Sequence, residues 1–226
     1  MPRRPDSTVS VLVLDDHDVI HRGFRDLLAS RSDLSLVGSA ATAAEALALV
    51  PQLRPDVVVV DVHLPDGNGV QVCRRLRSEM PQLRCLMMTS GSSDDAEFAA
   101  RLAGAAGFVT KHASAEEIID AVLRAAGDGA EMDRSRSAEL LAYLPVEGTD
   151  GSAAPRHLIA AAELAQLGER QRQILQLVLQ GCTDAEIAEQ LAVPETTVVS
   201  QITVLFTSLD LQRRLREASV EANRIP

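Results

Sequence analysis

From Val9 to Gly127 short apolar runs alternate with segments of helical period. The runs Val9–Leu14 (VSVLVL), Leu34–Ala40, Val57–Val60, Leu83–Met88 and Gly107–Thr110 read as strands. Between the first two, Val19, Ile20, Phe24, Leu27 and Leu28 recur at helical spacing. Further helices are predicted from Thr42 through Leu53, from Val70 to Glu79 before Pro81, from Asp94 to Ala103 before Gly104, and from Ser114 to Ala126. Thr42–Glu45 and Ser114–Glu117 each spell a capping box, in which a hydroxyl and a carboxylate reciprocally satisfy free N–H groups at a helix start. The four consecutive valines, too short and too β-branched for a helix, fit a strand covered on both faces. Five strand–helix alternations predict a doubly wound α/β domain with a parallel five-stranded sheet.

Beyond Gly127 no strand pattern recurs. Asp133–Leu144 has the period of one more helix, and Pro145–Pro155 (PVEGTDGSAAP) reads as a flexible linker. Helices are then expected over His157–Gln166, Glu169–Gln180, Thr183–Leu191, Glu195–Leu209 and Leu211–Asn223. The division is an α/β domain over 7–128, a linker with a helix over 129–160, and a small all-α domain over 161–226.

Composition narrows the class. Of 226 residues 46% are hydrophobic and 24% charged, as in soluble globular proteins. Charges interrupt every apolar run before the roughly 20 residues a membrane helix needs, and no secretory signal follows the basic start. Cys73, Cys85 and Cys182 form no metal or disulfide spacing, so a cytoplasmic location is expected. A net charge of −10 argues against indiscriminate nucleic-acid binding. From Pro155 onward seven arginines and no lysine face nine acids, a net of −2.

The candidate chemistry lies at the strand ends, where the sites of open α/β sheets are found. Asp15 and Asp16 follow the first strand, Asp61 the third, Thr89 the fourth and Lys111 the fifth. Three converging carboxylates repel unless a cation joins them, and a few hard oxygen ligands with room for water suit Mg²⁺. A carboxylate at the centre could serve as a nucleophile, with a hydroxyl and an ammonium complementing phosphoryl oxygens. Gly67 and Gly69 do not make a dinucleotide fingerprint, which needs its glycines after the first strand. A haloacid-dehalogenase-like phosphatase would carry a second Asp where His63 stands.

On these residues the segment 9–127 resembles the CheY-like receiver domain of two-component response regulators, including the D-x-x-x-P-x-x-x-G loop as DVHLPDGNG. The resemblance implies Asp61 as phosphoacceptor and Mg²⁺ held by Asp15, Asp16 and Asp61, with Asp16 touching the ion directly. It further implies Thr89 and Lys111 as partners of the phosphoryl group, and Phe108 as the aromatic switch. A sensor histidine kinase is the implied donor. Activity is limited to slow Mg²⁺-dependent self-phosphorylation and dephosphorylation, so no metabolic enzyme is expected.

The helical segment 167–216 resembles the LuxR-type helix-turn-helix of the NarL/FixJ family. The likeness rests on Leu167, Arg170, Ile174, Leu175, Gly181, Ile187, Ala188, Leu191, Thr197, Val198, Leu209 and Arg214. Thr183–Glu186 is a third capping box, and Pro194 is expected at the first position of the recognition helix. The wording LPDGNG and MPQLRCL is similar to DevR/DosR-like regulators. A phosphorylation-controlled transcription factor is implied, binding promoter DNA as a homodimer or heterodimer.

The chain departs from that pattern in charge. Glu195–Leu209 holds no basic residue: Val199 and Ser208 stand where the family places lysines, Gln201 at the histidine position, Ala185 at a polar or basic site and Asp210 at the usual glycine. Since phosphate neutralisation supplies most DNA affinity, the remaining candidates are Thr196, Thr197, Ser200, Gln201 and Thr203, with Arg213, Arg214 and Arg216 for phosphates. A second reading keeps the helix-turn-helix fold but offers Val199, Val204 and Phe206 to a protein partner. The stripe Leu211, Leu215, Ala218 and Ala222 is a candidate dimer surface or core face.

Overall fold

The computed structural model describes residues 8–90, 93–127, 167–180 and 182–208. In chain order the first domain runs β1 (Val9–Leu14), α1 (Asp18–Ala29), β2 (Leu34–Ala40), α2 (Ala43–Leu53), β3 (Val57–Asp61), β4 (His63–Leu64), β5 (Gly67–Asn68), α3 (Gly69–Glu79), β6 (Arg84–Thr89), α4 (Ser93–Ala103), β7 (Gly107–Thr110) and α5 (Ala115–Ala126). The second contains α6 (Glu169–Leu179), α7 (Asp184–Leu191) and α8 (Glu195–Ser208). The expected linker and its helix, the helix over 157–166 and the last helix with its apolar stripe lie outside the described residues.

The five long strands form one parallel sheet in the order β2-β1-β3-β6-β7, with β3 at its centre. The valine run explains that position. Val57 and Val59 join the core under α1 and α5, whereas Val58 and Val60 join the core under α2, α3 and α4. All four are fully buried, as period-two alternation requires when helices cover both faces. Two strands end one residue later than the pattern predicts, so Asp61 and Thr89 are the last strand residues of β3 and β6. The short β4–β5 ribbon is antiparallel, pairing His63 with Asn68 and Leu64 with Gly67; two-residue strands leave no readable period.

The capping boxes at Ser114–Glu117 and Thr183–Glu186 form as expected. The third is incomplete: Thr42 Oγ1 accepts from the Glu45 N–H, but the Glu45 carboxylate reaches the Ala41 N–H, one residue further back. The free N–H groups of Ala43 and Ala44 are instead satisfied by Asp66, from the loop after β3. Pro194 precedes α8 at the capping position, its carbonyl accepting from the Thr197 N–H at 2.9 Å.

The second domain packs on the first. α6 and α8 lie against α4, while α7 and α8 lie against α3. Leu167, Ile174, Leu175, Ile187, Val198, Ile202 and Leu205 belong to one continuous buried cluster with residues of α2, α3 and α4. At the seam Arg74, 5% exposed, pairs with Asp184, 7% exposed, and also donates to the Leu102 carbonyl. Neither charge was singled out by spacing, because the two lie 110 residues apart.

Candidate functional site

Parallel pairing brings the carboxyl ends of β1, β3, β6 and β7 to one edge. There Lys111 Nζ lies 2.8 Å from Asp61 Oδ2 and 2.7 Å from Asp15 Oδ2. The backbone fixes this lysine, since its N–H donates to the Thr89 carbonyl at 2.7 Å. Thr89 is fully buried and registers with Thr110, beside Asp61 in register with Met88. Lys111 is also the chain's only lysine, the other cations being 21 arginines.

Asp15 and Asp61 are buried, whereas Asp16 and His17 remain 39% and 59% exposed. One ligating atom from each of these four residues lies within 4.8 Å of the others. The acidic pair therefore divides: Asp15 forms the floor with Lys111, and Asp16 the solvent side. Burial first, and the Asp15 charge after it, push the Asp61 carboxyl up to about 6, with Lys111 pulling the other way. The Lys111 ammonium is held above its ordinary value by Asp61 and Asp15 in spite of burial.

The loop after Asp61 is shaped by contact rather than by flexibility. A Cβ on Gly69 would lie 2.1 Å from the Asp61 carbonyl oxygen, so only glycine lets the start of α3 close over β3. The Gly69 N–H donates to the Val62 carbonyl at 2.9 Å, and Asn68 caps α3 through the Gln71 N–H. Phe108 sits half-buried in β7 opposite Met87, three residues before Lys111.

Sequence reasoning missed two neighbours of the pocket. His17 Nδ1 lies 2.9 Å from Asp15 Oδ1 and 2.7 Å from Asp16 Oδ1, and His21 Nε2 donates to the Asp15 carbonyl. The adjacency of His17 to the acidic pair was a usable signal; the reach of His21 depends on the turn into α1.

The second candidate surface is α8. Val198, Ile202 and Leu205 are its buried stripe, at helical spacing. Thr196, Thr197 and Ser200 are exposed, while Gln201 and Thr203 are half-buried, the Thr203 hydroxyl donating to the Val199 carbonyl at 2.9 Å. Of the apolar residues offered to a protein partner, Val204 is 43% exposed and Val199 half-buried; the Phe206 side chain lies outside the described residues. So do Arg213, Arg214 and Arg216. Arg170 is engaged structurally, donating to the Leu191 carbonyl at the end of α7.

Residues 11–123 match the family described as response regulator receiver domain, and residues 157–203 that described as sigma-70, region 4. The chain is 40% identical over 210 residues to the DNA-binding transcriptional activator DevR/DosR of Mycobacterium tuberculosis, covering 93% of this chain and 92% of that one. The chain is a response regulator. It is also 29% identical to the response regulator VraR of Staphylococcus aureus, over 92% of its length and 93% of that protein's. Its receiver is similar to a LuxR-family response regulator from Aurantimonas, with 32% identity, a TM-score of 0.50, and coverage of 53% of this chain and 86% of that one. RcsB of Salmonella enterica bound to a promoter shares the two-domain fold at 20% identity and a TM-score of 0.51, covering 90% and 93% of the two chains.

The response regulator thus couples a receiver to a helix-turn-helix DNA-binding domain, and the whole-chain likeness to DevR/DosR and VraR favours transcription regulation over a purely protein-binding role. It belongs to a family of regulators rather than of classical enzymes. No helix among the described residues is long and apolar enough to cross a membrane.

Proposed function

We propose that this response regulator takes a phosphoryl group from a sensor histidine kinase onto Asp61 and thereby controls promoter binding. The observation that carries the reading is the single lysine bridging Asp15 and Asp61 at the strand ends. One Asp61 oxygen attacks the phosphorus of the donor, the donor's bond to phosphorus breaks, and an acyl phosphate remains on Asp61. Lys111 Nζ lies where it can pair with the transferred oxygens, and Thr89 supplies a hydroxyl on the neighbouring strand.

The donor set fits a divalent cation. Three carboxylates face one ammonium, and Asp15 Oδ2, sealed from solvent, accepts no hydrogen bond although Lys111 is within ion-pair distance. Asp15, Asp16 and Asp61 would hold Mg²⁺, which when bound neutralises charge on the incoming phosphoryl group. The same pocket supports slow self-phosphorylation from small donors and slow hydrolysis of the adduct.

The route to the effector is short. β6 ends at Thr89, α4 follows, and α4 packs directly on α6 and α8. Movement of Thr89 and Phe108 on phosphorylation shifts α4 and thereby the Arg74–Asp184 seam, releasing the helical domain to dimerise on DNA. The boundaries 7–128 and 161–226, and a cytoplasmic location, belong to the same reading. Thr196, Thr197, Ser200, Gln201 and Thr203 would meet the groove, with Arg213 and Arg214 on phosphates.

Incubation with acetyl phosphate and Mg²⁺ tests the proposal. An acid-labile adduct is expected on the wild type and none on Asp61→Asn; an equal adduct on both would overturn the assignment. Acetyl phosphate should also tighten binding of the full-length protein to promoter DNA, and in the Asp61→Asn variant it should not.

A further inference from the structure

His17 is not needed by the phosphoryl transfer just described, yet its imidazole points into the same pocket. Nδ1 lies 2.9 Å from Asp15 Oδ1, 2.7 Å from Asp16 Oδ1 and 3.5 Å from Lys111 Nζ. Its backbone N–H is also tied to Asp15 Oδ1 at 2.9 Å, which fixes the residue at the entrance to α1. At this position the side chain makes no capping bond to the helix, so the ring is not committed to α1. It lies instead on the solvent side of the pocket with Asp16, opposite the floor formed by Asp15 and Lys111.

From this geometry we infer that His17 is a nitrogen ligand that tunes the cation site toward late first-row divalent ions of the nickel and zinc class. The inference rests on the cation reading of the pocket given above. The ring nitrogen and one oxygen from each of the three carboxylates lie within 4.8 Å of one another. A divalent ion can sit among these four atoms, with Nδ1, Asp15, Asp16 and Asp61 as ligands. Asp15 Oδ2 is buried and accepts no hydrogen bond, its positive neighbour being the Lys111 ammonium at 2.7 Å.

Imidazole suits nickel, copper and zinc, whereas Mg²⁺ prefers oxygen donors and keeps its waters. An O₃N set therefore separates the two classes, while an all-oxygen set would do so much less. Such an ion, held by Asp61 as well as His17, competes with Mg²⁺ for the carboxylate that accepts the phosphoryl group. The receiver would then respond to late metals through the residue next to its acidic pair.

Calorimetric titration of untagged, full-length protein with NiCl₂ and, separately, MgCl₂ tests the assignment in the wild type, His17→Ala, His17→Gln and Asp61→Asn. The wild type should bind Ni²⁺ more tightly than Mg²⁺, and both His17 variants should lower the ratio of the two affinities by roughly tenfold or more. Asp61→Asn should weaken both ions, which places the Ni²⁺ in this pocket rather than on another histidine. A Ni²⁺ to Mg²⁺ ratio unchanged by both His17 substitutions would overturn the role of His17 while leaving the cation site standing. Failure of the wild type to bind either ion would overturn the cation site itself. A Co²⁺ spectrum in the visible adds an independent readout: loss of the imidazole should shift the bands, and identical spectra for wild type and His17→Ala would also refute the assignment.

Discussion

At the strand ends of the receiver three carboxylates, an imidazole and the chain's only lysine are drawn to within a few ångströms of one another, whereas α8, the helix proposed to meet DNA, carries no lysine or arginine between Glu195 and Ser208. The receiver concentrates charge where it is costly, in a buried pocket, because transfer of a phosphoryl group needs fixed charges in fixed places. The effector has shed charge where it would be cheap, on the partly exposed face of α8. DNA affinity is a sum over many loosely placed contacts, so it tolerates losses that the pocket cannot. Thr196, Thr197 and Ser200 remain exposed and, under the proposed reading, would be the groups that read bases. Under the same reading the arginines that follow in sequence and the avidity of a dimer would make up the deficit.

The largest test of that contrast lies where the two regions meet. Arg74→Ala leaves Asp184 buried without its partner and should destabilise the closed arrangement by about 3–5 kcal/mol, read as a lowered midpoint in urea. Adding Asp184→Ala should recover part of the loss; no recovery would mean that the pair is not coupled.

Next comes the cost of the pocket itself. Because the folded Asp61 carboxyl is raised from 3.8 to about 6, the fold binds its proton more tightly than the unfolded chain does. That stabilisation is fully present below about pH 4 and is lost as pH rises through about 6. In EDTA at pH 8, Asp61→Asn should therefore be more stable than the wild type by roughly 3 kcal/mol, with the gap closing below about pH 4. Mg²⁺ should narrow the gap at pH 8 by stabilising only the carboxylate form. Equal melting curves across the range would show that Asp61 is not strained by its surroundings.

Replacing the one lysine follows. Lys111→Met should slow phosphorylation by acetyl phosphate on the order of 100-fold. Lys111→Arg should not restore the rate, since a planar guanidinium cannot replace a point charge 2.7–2.8 Å from two carboxylates. The smallest effect is expected at the other region. Val199→Lys should tighten DNA binding by about 1 kcal/mol and steepen the log–log salt dependence by about one contact. A tenfold or greater gain from that single change would mean that the helix, rather than its flanks, limits binding.

The strands of the receiver were legible because their periods are local. Four valines in a row admit little besides a strand covered on both faces, and the capping boxes at Ser114 and Thr183 depend on residues three apart. The Thr42 box looked the same in sequence, but Asp66 of the loop after β3 claims two of the N–H groups at that helix start. Glu45 then reaches back to Ala41 instead of Thr42. The β4–β5 ribbon was invisible, since two residues carry no period. On α8, the helical period correctly indicated a buried stripe, yet it could not tell that Gln201 and Thr203, meant for the groove, are half-covered.

By itself the amino-acid sequence determined which candidate residues meet at one edge of the sheet. Asp61 and Thr89 end strands, Asp15, Asp16 and Lys111 follow directly after others, and parallel strands deliver their ends to one edge whatever the details of packing. Tertiary structure alone decided how those charges share the pocket: Asp15 beneath with Lys111, Asp16 and His17 toward solvent, Asp61 raised by burial between them. It alone also joined Arg74 to Asp184. Period and capping act over a few residues, whereas burial and ion pairing depend on which distant surfaces meet, and that is written only in the packed molecule.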